Sequence, residues 1–240
     1  MVQTGDPLDV LTALTGRVSA DMAVLEDAIA PAIREAIILG ALPGGMRLSE
    51  AQVARRLQVS RTPVRRALNQ LAHEGLVVMA PHIGASVRAI RPEDVEEIYE
   101  VRIALEVLAV KLLIQRSNAV GRAEFMEAMN ALRTASGDAE AYAEALDAFH
   151  LLIMRLGRNR TLAQMYQNLV GPIRRFRRMN LGRAERVQRS LRHNLRVARA
   201  MLAGDSNAAT LMEEHLHQAS SDVIALLRAQ FVLKKGTDPE

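Results

Sequence analysis

The chain of 240 residues contains no cysteine and no tryptophan. Without a thiol, a disulfide scaffold, a cysteine-ligated zinc site, an iron–sulfur cluster and a thiol nucleophile are all excluded. Aromatic residues make up only 3%, too few for the stacking platforms on which single-strand nucleic-acid binders lay their bases. Long apolar runs are missing as well. None approaches the ~18 residues a membrane span needs, and Asp6 and Asp9 stand where a signal peptide would carry basic and then apolar residues. A cytoplasmic protein with no membrane partner is expected.

What is present favours a packed, mostly helical protein. Hydrophobic residues reach 49% against 24% charged, which rules out global disorder, and alanine, leucine and arginine, all good helix formers, dominate. The net charge of +4 hides a layout that alternates along the chain. Residues 1–90 are nearly balanced, 91–154 carry twelve acids and six bases, and 155–200 carry thirteen bases and one acid. The arginine block within 174–199 reads first as a solvated face, with a dimer contact or part of an anion pocket as alternatives.

Residues 1–20 mix Gly, Pro, Thr and Asp around a short apolar patch at Val10–Leu14 and read as a flexible tail with a capacity for weak docking. From Ala23 to Leu39 the spacing of Leu25, Ile29, Ile33 and Ile37 predicts a helix, kinked or broken at Pro31. Ser49, with Gln52 three residues on, opens a short helix carrying Val53, Ala54 and Leu57. Ser60 caps the next, with Pro63 in its first turn. At 100° per residue Val64, Ala67, Leu68 and Leu71 gather on one face, and Arg61, Thr62, Arg65, Arg66 and Asn69 span the other. Leu76–Met79 and Ala85–Val87 then read as two strands around a turn at 80–84. Helix, helix–turn–helix and hairpin in this order are the layout of a winged helix–turn–helix, whose second helix enters the DNA major groove. From Arg91 onward helices predominate, with breaks near 117, 136, 157, 182 and 204. The predicted fold is mainly α: a flexible tail at 1–20, a winged helix–turn–helix over 21–90 and an all-α six-helix antiparallel bundle over 91–236.

The stretch Gly40–Val87 resembles the DNA-binding domain of the GntR family of bacterial transcription regulators. The matching residues are Pro43-Gly44, Leu48, Glu50, Ala54, Leu57, Val59, Ser60 to Arg65, Ala67-Leu68, Leu71, Glu74-Gly75-Leu76 and Gly84. Two positions depart from the pattern: Arg66 stands where the family usually has Glu, and Gln58 where it often has Gly. Beyond residue 90, Tyr99, Arg102, Leu105-Glu106, Phe149-His150, Asn159, Leu162, Ala203-Gly204-Asp205 and His215-Leu216 look like the helical effector (FCD) domain of the FadR-like subfamily. The resemblance implies a homodimer on a pseudo-palindromic operator, modulated by a small, usually organic-acid-type metabolite, often beside a divalent metal held by one Asp and three His.

Site residues follow from pattern and resemblance together. Ser60, Arg61, Thr62, Arg65, Arg66 and Asn69 are the candidates for contacts to bases and phosphates of double-stranded DNA, and His82 and Gly84 fit a wing tip. Arg102 either pairs a carboxylate ligand or forms an intrahelical pair with Glu106. The effector pocket draws on Arg102, Asp147, His150, His193, Asn194 and His215. For a metal the carry-over is incomplete. Leu146 occupies the Asp position and Asp147 lies three before His150, while His193 and Asn194, pointing about 100° apart, compete for the second His position. His150 and His215 alone fall short of the three protein ligands zinc usually takes, so a divalent metal such as zinc is possible but not favoured. No cofactor is otherwise implied. A metal-dependent all-helical enzyme using His150, His193 and His215 is the alternative, which leaves the cationic helix unexplained.

Overall fold

The computed structural model describes residues 6–15, 22–80, 84–116 and 119–235. The chain divides into two compact units, residues 1–90 and 91–240.

In the first unit α1 (Asp9–Thr15) and α2 (Met22–Ile38) precede β1 (Arg47–Leu48), α3 (Glu50–Leu57), α4 (Arg61–His73), β2 (Val77–Ala80) and β3 (Gly84–Val87). The strands form an antiparallel sheet in the order β1-β3-β2, with Leu48 opposite Ala85 and Val77 opposite Val87. Ile29, Ile33 and Ile37 of α2 share a core with Val53 and Leu57 of α3 and with Val64, Leu68 and Leu71 of α4. Ser49 starts α3, its side chain accepting from the Gln52 backbone N–H at 3.4 Å. Pro31 lies inside α2, which runs through it unbroken. The two-residue strand β1 is too short to leave an alternating pattern in the sequence.

The N-terminal segment differs from the expected tail. Leu8 and Leu11 are buried in the core of this unit, and α1 packs on α2 and α3. Asp6 starts the turn by accepting from the Leu8 N–H at 3.0 Å, and both Asp6 and Asp9 pair with Arg56 of α3. The two acids therefore anchor the segment. Burying a leucine side chain is worth about 1.5–3 kcal/mol, enough to hold one short helix in place.

The second unit consists, among the described residues, of α5 (Pro92–Arg116), α6 (Ala119–Ala135), α7 (Ala139–Leu156), α8 (Arg160–Asn180), α9 (Ala184–Ala203) and α10 (Ala208–Lys235). Asp138 and Asn159 cap α7 and α8, accepting from Ala141 N–H at 2.8 Å and Leu162 N–H at 3.1 Å. Gly204 ends α9 with φ +71°, the left-handed conformation that favours glycine. Helix α5 packs against α7, α8, α9 and α10, so residues on several of its sides are interior. That central place explains why polar Arg102 and Glu106 sit buried within it.

Candidate functional site

The first candidate site is the outer face of α4. Val64, Ala67, Leu68 and Leu71 are buried, which turns Arg61, Thr62, Arg65, Arg66 and Asn69 to the exposed side together with Ser60 at the helix start. Arg65 donates from Nε and Nη2 to the carboxylate of Glu50, with contacts of 2.8–3.1 Å. This pairing holds the Glu50 carboxyl below the usual carboxylate range, the hydrogen bond from Arg65 being its main cause. Arg66 reaches Glu26 of α2 at 3.0 Å. Both guanidinium groups remain more than half exposed, so such pairs contribute little to stability and fix orientation instead. The turn before α4 passes through Gln58 at φ 56°, and this left-handed backbone accounts for the glycine the family prefers there. Gly84 has φ +92° and open space on its Cβ side. His82, the other wing candidate, lies outside the described residues.

The second site is a cavity of about 40 Å³ in the helical unit, lined by residues of α5, α7, α8, α9 and α10. Four arginines (Arg102, Arg177, Arg186 and Arg189) and one carboxylate, Asp222, form its charged wall, joined by His150, His193 and His215. Beside it lies a buried network centred on Glu106, which has no exposed surface. Glu106 accepts from Arg102 Nε at 2.7 Å, from His150 Nδ1 at 2.6 Å and from the Tyr166 hydroxyl at 3.0 Å. Burial alone would raise its pKa. The charge of Arg102, then His150, outweighs that and holds Glu106 ionised far below the carboxylate range. Burial likewise opposes the charge on Arg102, and Glu106 more than offsets it. The Arg102 guanidinium also lies 4.9 Å from the Tyr99 ring centroid, a favourable cation–π distance.

Arg102 forms the intrahelical pair with Glu106 and also lines the cavity. Asp147 does not line it. The neighbouring Leu146 does, and Asp147 is engaged by Arg174 at 2.8 Å and by Arg177. Three residues before His150 instead of four, its carboxylate meets the arginines of α8. His150 and His215 both reach the wall and are buried, and His215 is held neutral by burial, which pushes its pKa well below the ordinary histidine value. Of the two competing neighbours, half-buried His193 lines the cavity, its ring 5.7 Å from that of His215. Asn194 is fully buried and donates to the Ser190 backbone O at 2.9 Å and Oγ at 3.2 Å.

Two further residues belong to the site: Glu106 and, from the arginine block for which an anion pocket was one alternative, Arg177. Glu106 is visible only as a partner for Arg102, not for His150, 44 positions away. Arg177 belongs to the block read first as a solvated face, yet it is only 6% exposed. Burial, then the nearby charge of Arg102, works against its charged form. An i, i+3 hint existed, since Arg174 and Arg177 share one side of α8.

The donor set does not fit a divalent metal. Among the described residues no group of three or more His, Asp or Glu could hold one. The carboxylate on the wall, Asp222, is held by Arg189 at 2.5 Å, Asn194 offers an amide in place of an imidazole, and two buried guanidinium cations line the space a dication would occupy.

An exposed cationic helix backed by a winged helix–turn–helix core, with a separate helical unit enclosing a charged cavity, defines a DNA-binding transcription regulator with an effector domain. The chain belongs to the GntR family: the family of bacterial regulatory proteins of that name matches residues 25–87 and the FCD domain matches residues 97–218. The transcriptional regulator YdhC of Bacillus subtilis is 29% identical, over 69% of this chain and 75% of its own length. The gluconate operon transcriptional repressor of Bacillus licheniformis is 27% identical over 88% of this chain and 90% of its own. A crystal structure of a GntR transcriptional regulator from Rhodococcus sp. RHA1 superimposes with TM-score 0.70 at 25% identity, over 83% of this chain and 97% of that one.

Proposed function

We propose that the protein acts in the cytoplasm as a homodimer that binds a pseudo-palindromic operator through α4, and that a small anionic metabolite in the helical unit changes its affinity for DNA. One recognition helix spans only a short half-site, and a two-fold dimer doubles the contacts on a palindrome. Ser60, Arg61, Thr62, Arg65, Arg66 and Asn69 are the DNA-contacting set, with His82 and Gly84 at the wing. The observation that carries the effector half of the reading is the cavity wall, where four arginines face a single carboxylate. Arg102, Arg177 and Arg189 pair with Glu106, Asp147 and Asp222, while Arg186 donates to the neutral amide oxygen of Asn180, and the surplus positive charge of these groups favours an anionic ligand. A repressor of a gluconate operon among the relatives supports an acid as effector class. Enzymatic activity is not part of the proposal.

The test is fluorescence anisotropy on duplexes selected by the protein from a random pool, with and without a panel of small carboxylates. Selection of a two-fold symmetric sequence whose binding shifts with one of the acids supports the reading. Selection of no sequence over background refutes it.

A further inference from the structure

We propose that Glu50 is the positioning residue for base recognition: it holds one edge of the Arg65 guanidinium so that the other edge is presented to a guanine in the major groove. This rests on the reading of α4 as the DNA-contacting helix and adds the residue that aims it. Helix α4 carries arginines and no carboxylate of its own, and a phosphate backbone repels negative charge, yet Glu50 reaches this face from the first turn of α3. Its carboxylate accepts from Arg65 Nε at 3.0 and 3.1 Å and from Nη2 at 2.8 Å. An acid in the first turn of α3 also suits the helix dipole, but that needs no contact with a residue 15 positions on. The acid is the more sheltered partner, its side chain 25% exposed against 63% for Arg65. Glu50 therefore lies under the guanidinium, whose far edge meets solvent.

The geometry of the pair decides what Arg65 can read. A guanidinium offers its N–H donors in two forks, Nε with Nη2 along the side and Nη1 with Nη2 across the end. Glu50 occupies the side fork. The end fork is left, two parallel donors that match the O6 and N7 acceptors of guanine. Without the carboxylate the long side chain would swing among rotamers and between base and phosphate. With it, the end fork is set before DNA arrives, and less freedom is lost on binding. The same pairing argues against a phosphate role for Arg65. A phosphate is held chiefly by net charge, which Glu50 cancels at close range, whereas a base edge is read by the direction of its hydrogen bonds.

The test is fluorescence anisotropy of the full chain at several salt concentrations, on the duplex it selects from a random pool, on that duplex with each G·C pair replaced in turn, and on a scrambled duplex. Glu50→Gln keeps the size of the side chain and removes its charge. It should lower the ratio of selected to scrambled affinity about 5-fold or more, and flatten the response to the same G·C pair that Arg65→Ala no longer distinguishes. Affinity for scrambled DNA should rise and its salt slope steepen by up to about one, since the charge of Arg65 is released to phosphate. In an Arg65→Ala background Glu50→Gln should no longer change the ratio, whereas a merely structural fault would persist there. Equal gains on both duplexes would make Glu50 a repelling charge only, and a ratio that still falls without Arg65 would make it a base reader in its own right; either overturns the proposal. If Arg65→Ala weakens binding to the selected duplex while Glu50→Gln leaves the ratio alone, the proposal falls and α4 remains the reading helix. If Arg65→Ala binds both duplexes like the parent, both fall.

Discussion

Removing the carboxylate of Glu106 by Glu106→Ala strips three buried hydrogen bonds at once: Arg102 Nε, His150 Nδ1 and the Tyr166 hydroxyl all lose their acceptor. The dominant loss is electrostatic, because Arg102 is 2% exposed and would be left as a buried cation whose partner is gone. Breaking such a pair from one side costs about 3–5 kcal/mol. For the helical unit, residues 91–240, each kcal/mol corresponds to about 2–4 °C, so melting should fall by about 6–20 °C. Differential scanning calorimetry of the full chain gives the value. The double variant Arg102→Met with Glu106→Met removes both charges and should lose less than Glu106→Ala alone. A Glu106→Ala protein melting within 2 °C of the parent, or a double variant worse than the single, would refute the account of this network.

Arg65→Ala should weaken operator binding by about 1–3 kcal/mol relative to a scrambled duplex if Arg65 clamps a base, or lower affinity for all duplexes and reduce the salt slope by about one if it contacts phosphate; anisotropy at several salt concentrations separates the two, and unchanged binding to both duplexes would remove α4 from the interface. Leu11→Ala should destabilise the N-terminal unit by about 2–5 kcal/mol if α1 is part of its core, measured by urea unfolding; no change would restore the flexible tail. His215 is neutral when folded and titrates near 6.5 when unfolded. Stability contributed by its neutrality is thus complete above that value and is lost as pH falls below it, at most about 1.4 kcal/mol per pH unit; a urea midpoint flat from pH 7 to 5 in the parent, or an unchanged slope in His215→Gln, would contradict this. Light scattering at micromolar concentration should give twice the chain mass, and a strict monomer that does not pair on DNA would exclude the dimer.

Local chemistry made most of the fold legible. Ser49, Pro63 and Gly204 mark helix ends through requirements confined to a few neighbouring residues, and the face of α4 follows from its 100° periodicity. What the sequence hid depends on distance or on shortness. β1 has two residues. α1 has seven, and its burial is decided by what Leu11 meets, not by its own pattern. The exposed face of α4 could be read because it lies on one helix, whereas the cavity gathers side chains from five. Arg102 and Glu106, four apart on α5, were a visible pair, but the contact of Glu106 with His150 and the burial of Arg177 arise only when α7 and α8 pack against α5. Charge counting misled for the same reason: thirteen bases in one block suggested a solvated surface, while Arg177 turns inward to Asp147.

The central claim is that an anion in the helical unit alters DNA affinity, and one titration tests it most directly. The selected duplex, labelled and held at fixed concentration with the full chain in EDTA, is titrated with an acid shown by calorimetry to bind. A coupling free energy of the usual size, about 1–3 kcal/mol, moves the DNA dissociation constant about 5–150-fold, and by reciprocity the acid must bind the DNA complex more weakly or more tightly by the same factor. A shift within that range, reproduced from both directions and absent in Arg177→Met, is the predicted result. Saturation of the cavity with no change in DNA affinity would contradict the account.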